Sequence, residues 1–150
     1  DKHVTGVQTC ALPILMFEDV FTKPIRHHGW THNQKNQNVL RDLEKLDRFH
    51  LEQYARLVGK LDSIREGDGT LLDSMMFTLG SGLSSGMLHT CTDLPTLIAG
   101  SGGGLLKTNR HDRHEKGTPI ANLWLSMARV MGVKSDKIGD STGARKGFLA

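Results

Sequence analysis

The chain has 150 residues, with 19 Lys and Arg against 16 Asp and Glu, a net charge of +3 spread along its length. Dispersed charge of this kind marks a solvated surface and argues against a nucleic-acid partner, which is met by a concentrated basic stripe. No stretch reaches the roughly 20 consecutive apolar residues of a membrane span, and the length suits one small domain or part of a larger one.

The segment Val4-Thr5-Gly6-Val7-Gln8-Thr9-Cys10-Ala11-Leu12-Pro13-Ile14 reads as the in-frame translation of a common sequencing-library adapter at every position. Residues 1–14 are therefore set aside as artefactual. Residues 15–150 are expected to be the C-terminal part of a single α/β domain, whose true upstream sequence would precede Leu15. With Cys10 excluded, Cys91 has no intrachain disulfide partner.

From Leu15 to Asn38 the chain is irregular and polar, broken at Pro24, with His27, His28, Trp30 and His32 close together. Such imidazoles are either a solvated surface loop or a group able to share a metal. Val39 to Arg65 carries Val39, Leu43, Leu46, Tyr54, Leu57, Val58, Leu61 and Ile64 at three- and four-residue spacing, which predicts a long amphipathic helix. At 100° per residue Asp47 and His50 fall within its apolar stripe as i,i+3 neighbours. A core-facing polar pair needs a reason: either the two are hydrogen-bonded to satisfy each other, or Asp47 orients His50 as a ligand or acid-base group.

Two short apolar runs, Ser74 to Leu79 and Leu94 to Ala99, predict buried strands. Between them, Gly80 to Asp93 is a long Gly/Ser-rich loop of the kind that carries function at a strand end. His89, Cys91 and Asp93 alternate there and would share one side of an extended chain, a weak metal set. The run Gly100-Ser101-Gly102-Gly103-Gly104 suggests a phosphate loop but fails the pattern, because Leu106 stands before Lys107 where glycine is needed. A flexible turn is the expectation. Thr118 as cap and Pro119 at the first position open a second helix with Ile120, Leu123, Trp124, Met127, Val130 and Met131 on its buried face and Gly132 at its end. The tail, with Gly139-Asp140-Ser141-Thr142-Gly143, is turn-rich.

Taken together, Leu46 to Tyr54, Gly67 to Asp73, Gly80-Ser81-Gly82, Leu94-Pro95, Gly117 to Leu125 and Gly139 to Gly143 resemble the C-terminal part of the HXXSHH-motif proteins, the family of domain of unknown function 1552. The likeness covers about residues 21–143 in order. It implies an exported protein (periplasmic or extracellular) larger than this chain, with a fold similar to the alkaline-phosphatase and sulfatase group. In that group divalent metals held by Asp and His at strand ends polarise a phosphoryl or sulfuryl ester. The family's name motif maps onto Lys23 to His28; His27 and His28 match, while Lys23 and Arg26 stand where a His and the Ser belong. In the strand-end loop the family has an Asp near Ser85, an Asn near Met87 and a His near Cys91, so that only His89 is retained. Losing those ligands points to an inactive copy.

The expected fold class is α/β: part of an alkaline-phosphatase-like sheet flanked by helices, with one long amphipathic helix (39–65), two short buried strands (74–79 and 94–99) and a C-terminal helix (119–131). The expected site is a metal or anion site of His27, His28, His50 and His89 with Asp47 behind it, and the implied cofactor is a divalent metal such as zinc. The implied activity is that of a metal-dependent phosphatase- or sulfatase-like hydrolase, incomplete here. The alternative is a non-catalytic binding or structural domain of the same fold. No specific protein partner is indicated.

Overall fold

A computed structural model describes residues 20–21, 27–145 and 147–149. The adapter-like segment 4–14 and the motif positions Lys23 and Arg26 lie outside the described residues. The chain is mixed helix and strand, and its described sheets are two-stranded and antiparallel. It divides into two compact units: the described residues up to Tyr54 with Leu83–Cys91, and Ala55–Gly82 with the described residues from Thr92 onward.

In the first unit a short helix, α1 (His27–Thr31), replaces the irregular loop expected there. The long helix, α2 (Gln37–Ser63), begins two residues before the expected Val39. Asn36 explains the early start, because its side-chain Oδ1 accepts the Asn38 N–H at 2.9 Å and its carbonyl accepts the Leu40 N–H at 3.0 Å, the work of an N-cap residue. Leu43 and Leu46 are the buried residues of α2. Asp47 and His50 are both exposed, which corrects the core-facing placement expected for them. Their angular position lies in the stripe, but the stripe is covered only around Leu43 and Leu46; Leu51 and Leu57 are 48% and 43% exposed as well.

The second unit takes in the last part of α2, from Ala55, and then a tight hairpin of β1 (Arg65–Glu66) and β2 (Gly69–Thr70), turned at Gly67 with φ +57°. A single helical turn, α3 (Leu71–Ser74), follows at once. Its start is fixed by Asp73, whose Oδ2 accepts the Thr70 N–H at 2.8 Å and the Thr70 hydroxyl at 3.0 Å, within a capping box. Those two hydrogen bonds, the backbone one foremost, hold the Asp73 carboxyl below its ordinary range, with Arg65 adding to the effect. The stability they contribute is therefore present above the ordinary carboxylate value and lost as pH falls from there through the lowered value of the folded state. The same turn displaces the expected strand start from Ser74 to Phe77.

The two strands are β3 (Phe77–Gly80) and β4 (Thr96–Ala99), antiparallel in the register Phe77↔Ala99 to Gly80↔Thr96. They are half-buried where burial on both faces was expected. With two strands, one face meets the core through Ile98 while Leu97 on the other is 46% exposed, the alternation of a one-sided sheet. Pro95 lacks an N–H and stays outside the ladder, but its carbonyl accepts the Ser81 N–H at 3.4 Å.

After β4 the glycine-rich run is a fastened joint where a flexible turn was expected. The Asp73 carbonyl accepts the Gly103 N–H and the Ser101 hydroxyl, both at 2.7 Å, and the Met75 carbonyl accepts the Gly102 N–H at 3.0 Å. These are the carbonyls left over at the end of α3, which need partners. Gly100, at φ +96°, passes so close that a Cβ would lie 2.3 Å from the Met75 carbonyl oxygen and 2.5 Å from that of Leu72. The joint delivers Leu106 to a core shared with Leu123 and Phe148, flanked by Met76, Ile98, Trp124, Met127 and Val130.

The C-terminal helix, α4 (Ala121–Val130), starts two residues later than the expected Pro119. Thr118 does not cap it, since its hydroxyl donates to the Glu115 carbonyl at 2.8 Å. Its end is as expected: Gly132 at φ +81° lets the Val133 N–H reach the Ala128 carbonyl at 2.9 Å and its own N–H reach that of Arg129 at 3.0 Å, a Schellman ending. The tail is tied back to this helix. Buried Asn122 donates to the Thr142 hydroxyl at 3.0 Å and accepts the Thr142 N–H at 2.8 Å, and the Ser126 hydroxyl accepts the Arg145 N–H at 2.7 Å. Arg145 then pairs with Asp112 at 2.7 Å and lies over the Phe148 ring, 5.5 Å from its centroid.

Two glycines of the joint make a paired test. Gly100→Ala combines a left-handed backbone with a backbone clash and is expected to cost about 2–4 kcal/mol in chemical denaturation. Gly103→Ala, with open space around its φ of +72°, is expected to cost about 1 kcal/mol. Asn122→Ala, which removes two part-buried hydrogen bonds to Thr142, is expected to cost about 1–2 kcal/mol by the same measurement.

Candidate functional site

All four expected site histidines, and Asp47, belong to the first unit. Short-range order around α1 places the first of them. The Thr31 hydroxyl donates back to the His28 carbonyl at 2.8 Å, the Asn33 N–H to the Trp30 carbonyl at 2.9 Å, and Trp30 meets Phe21 edge to face at 5.2 Å between ring centroids. His27 is half-buried, while His28 and His32 are exposed one helical turn apart.

The loop that contributes His89 has its own internal pairing. Ser85 bridges Thr90 in antiparallel fashion, the Ser84 N–H donates to the Thr90 carbonyl at 2.9 Å, and the hydroxyls of Ser84 and Thr90 lie 2.8 Å apart. The Ser85 hydroxyl accepts the Leu88 N–H at 3.2 Å, so the residue standing where the resembled family has an Asp closes the loop. His89 and Asp93 have φ of +51° and +53°. The chain there is not extended, which removes the shared side on which His89, Cys91 and Asp93 were expected to lie. The loop tip is pressed onto α1 at Gly86, where a Cβ would fall 2.5 Å from the Thr31 Cβ.

This seating brings His89 to His32, the residue that follows α1. His32 stands between the other two rings: its centroid is 4.7 Å from that of His28 and 4.9 Å from that of His89, with interplanar angles of 62° and 66°. His27 forms a second pole with α2. Burial holds its imidazole below the ordinary value of 6.5, His50 and then His28 add to that by charge repulsion, and Asp47 opposes it. Asp47 and His50 thus act on the cluster from α2 across the exposed side of the helix.

His32 is the member that sequence reasoning left out of the site. Its signal was the four-residue spacing from His28, which becomes meaningful only once the segment is helical. As to the implied metal, the donors do not fit in this arrangement: among the described residues no three His, Cys, Asp or Glu side chains are grouped so as to hold a metal ion. Rings meeting edge to face aim an edge at a neighbour's face rather than converging their nitrogens on one point. What the arrangement offers instead is a patch of imidazole N–H groups.

Because the folded state holds the His27 proton more weakly than the unfolded chain does, the stability tied to neutral His27 is present above about pH 6.5. It is lost as pH falls below that value. The melting temperature is therefore expected to be lower at about pH 5.5 than at about pH 7.5, and His27→Gln, measured by scanning calorimetry, is expected to remove part of that difference. Comparison with protein-family models, with curated proteins and with solved structures found no match for this chain.

Proposed function

We propose that this chain is the C-terminal part of an exported protein similar to the HXXSHH-motif family, and that its histidine patch binds an anionic group without catalysing its hydrolysis. In this reading the small β3–β4 sheet is the local part of a larger alkaline-phosphatase-like sheet flanked by helices. The observation that carries the functional half is the gathering of His28, His32 and His89 by ring contact, with no three metal donors convergent among the described residues. Imidazole N–H groups donate hydrogen bonds to oxyanions and gain a full positive charge on protonation, so they suit a phosphate or sulfate group. The replacements at Ser85, Met87 and Cys91 support the same reading, because they leave neither the carboxylate nor the second imidazole that a metal-dependent mechanism would need.

The competing hydrolase makes opposite demands, so one set of measurements on the full-length protein separates the two. Calorimetric titration with inorganic phosphate and with sulfate is expected to show weak binding that is lost in His28→Ala and His89→Ala. Elemental analysis is expected to find no stoichiometric divalent metal, and aryl phosphate and aryl sulfate to remain unhydrolysed. Stoichiometric zinc, displaced by His50→Ala and accompanied by ester turnover, would overturn the proposal in favour of the hydrolase.

A further inference from the structure

We infer that Thr31 and Gly86 are the positioning pair of the histidine patch, and that the close approach of the Gly86 backbone to the Thr31 side chain is what holds His89 against His32. What the patch then binds rests on the anion-binding reading, whereas its assembly rests on geometry alone. A Cβ built at Gly86 would lie 2.5 Å from the Thr31 Cβ, 2.9 Å from its Oγ1 and 3.2 Å from its Cγ2. The first of these distances is decisive, because no side-chain rotation moves a Cβ. The two outer atoms are held as well, since the Thr31 hydroxyl donates to the His28 carbonyl at 2.8 Å.

Glycine stands at position 86 for room and not for backbone conformation. Gly86 is not among the glycines with positive φ, so alanine there meets no left-handed penalty, and its cost is the collision with Thr31. Gly82, at the base of the same loop, also has no positive φ but has open space around it. The two positions therefore separate the contact with Thr31 from the general effect of adding a methyl group to this loop.

The contact reaches all three rings through short links. On one side Thr31 bonds the His28 carbonyl and directly precedes His32. On the other, Gly86 and His89 lie inside one closed turn: Ser85 bridges Thr90, the Ser85 hydroxyl accepts the Leu88 N–H at 3.2 Å, and the hydroxyls of Ser84 and Thr90 lie 2.8 Å apart. Seating Gly86 therefore seats His89. Burial does not hold the histidine itself, for His89 is exposed and its neighbour Leu88 is 71% exposed. The outcome is a His32 ring 4.7 Å from that of His28 and 4.9 Å from that of His89 between centroids. Exposed side chains lose rotamer freedom when they converge on a ligand, so rings already gathered bind an oxyanion more tightly than the same histidines on a loose loop.

The test combines magnetisation transfer between histidine ring protons with calorimetric titration of inorganic phosphate, both on the full chain. Gly86→Ala is expected to lose the His32–His89 cross-peaks and to weaken phosphate binding by about tenfold, while the His28–His32 peaks and the cross-strand Phe77–Ala99 peaks persist. Thr31→Gly removes all three atoms that the added methyl group meets, so the double substitution of Thr31→Gly with Gly86→Ala is expected to regain both the His32–His89 peaks and the binding. Gly82→Ala is expected to change neither. Retention of the His32–His89 peaks or of full phosphate affinity in Gly86→Ala would overturn the inference, as would failure of the double substitution to regain the peaks. Failure of the unsubstituted chain to bind phosphate would instead overturn the anion-binding reading, with the positioning still decided by the pattern of peaks.

Discussion

Leftover backbone carbonyls at the end of a one-turn helix govern the second unit. A helix as short as α3 cannot satisfy its own last carbonyls, and here those of Asp73 and Met75 take the N–H groups of Gly103 and Gly102 and the Ser101 hydroxyl. The same contact fixes where the chain goes after β4, and so where Leu106 enters the core with Leu123 and Phe148. Asp73 serves both ends of the arrangement, its side chain starting α3 at Thr70 and its carbonyl receiving the returning chain. Glycine at position 100 is required by this closeness, since nothing larger fits between the carbonyls of Leu72 and Met75.

Several of the segments on which the family resemblance rests are joints of this kind. Gly67 to Asp73 forms the hairpin and the helix start. Ser81 meets Pro95 across the base of the loop, and Asn122 meets Thr142. Each answers a requirement of the fold rather than of a site. The histidines belong to the other unit and answer a different need: His28, His32 and His89 are exposed, contribute little to a core, and are gathered by the seating of one loop tip on α1.

The long helix, the two strands and the C-terminal helix were legible because their periodicity is strong, and their limits shifted where a local hydrogen bond outweighed it. Asn36 started α2 early, Asp73 converted the expected strand start at Ser74 into a helical turn, and Thr118 spent its hydroxyl on Glu115. Burial was less legible than periodicity. Asp47 and His50 sit at core angles on α2 and are exposed, because an apolar stripe is buried only where something covers it. The two-stranded, one-sided character of β3 and β4 had the same cause, for short apolar runs do not reveal whether one face or two will be covered. His27, His28, His50 and His89 all fall within one unit, whereas the central place of His32 depends on a helix and a left-handed loop residue that the sequence pattern does not display.

A loop distant in sequence brings His89 onto His32 and so completes the histidine patch. The most direct measurement is the magnetisation transfer between ring protons of His32 and His89 in the full chain. Strong cross-peaks from His32 to both His89 and His28 are the predicted result, in keeping with centroid separations of 4.9 Å and 4.7 Å. Cross-peaks to His28 without any to His89 would contradict it, leaving two helical neighbours and no assembled site.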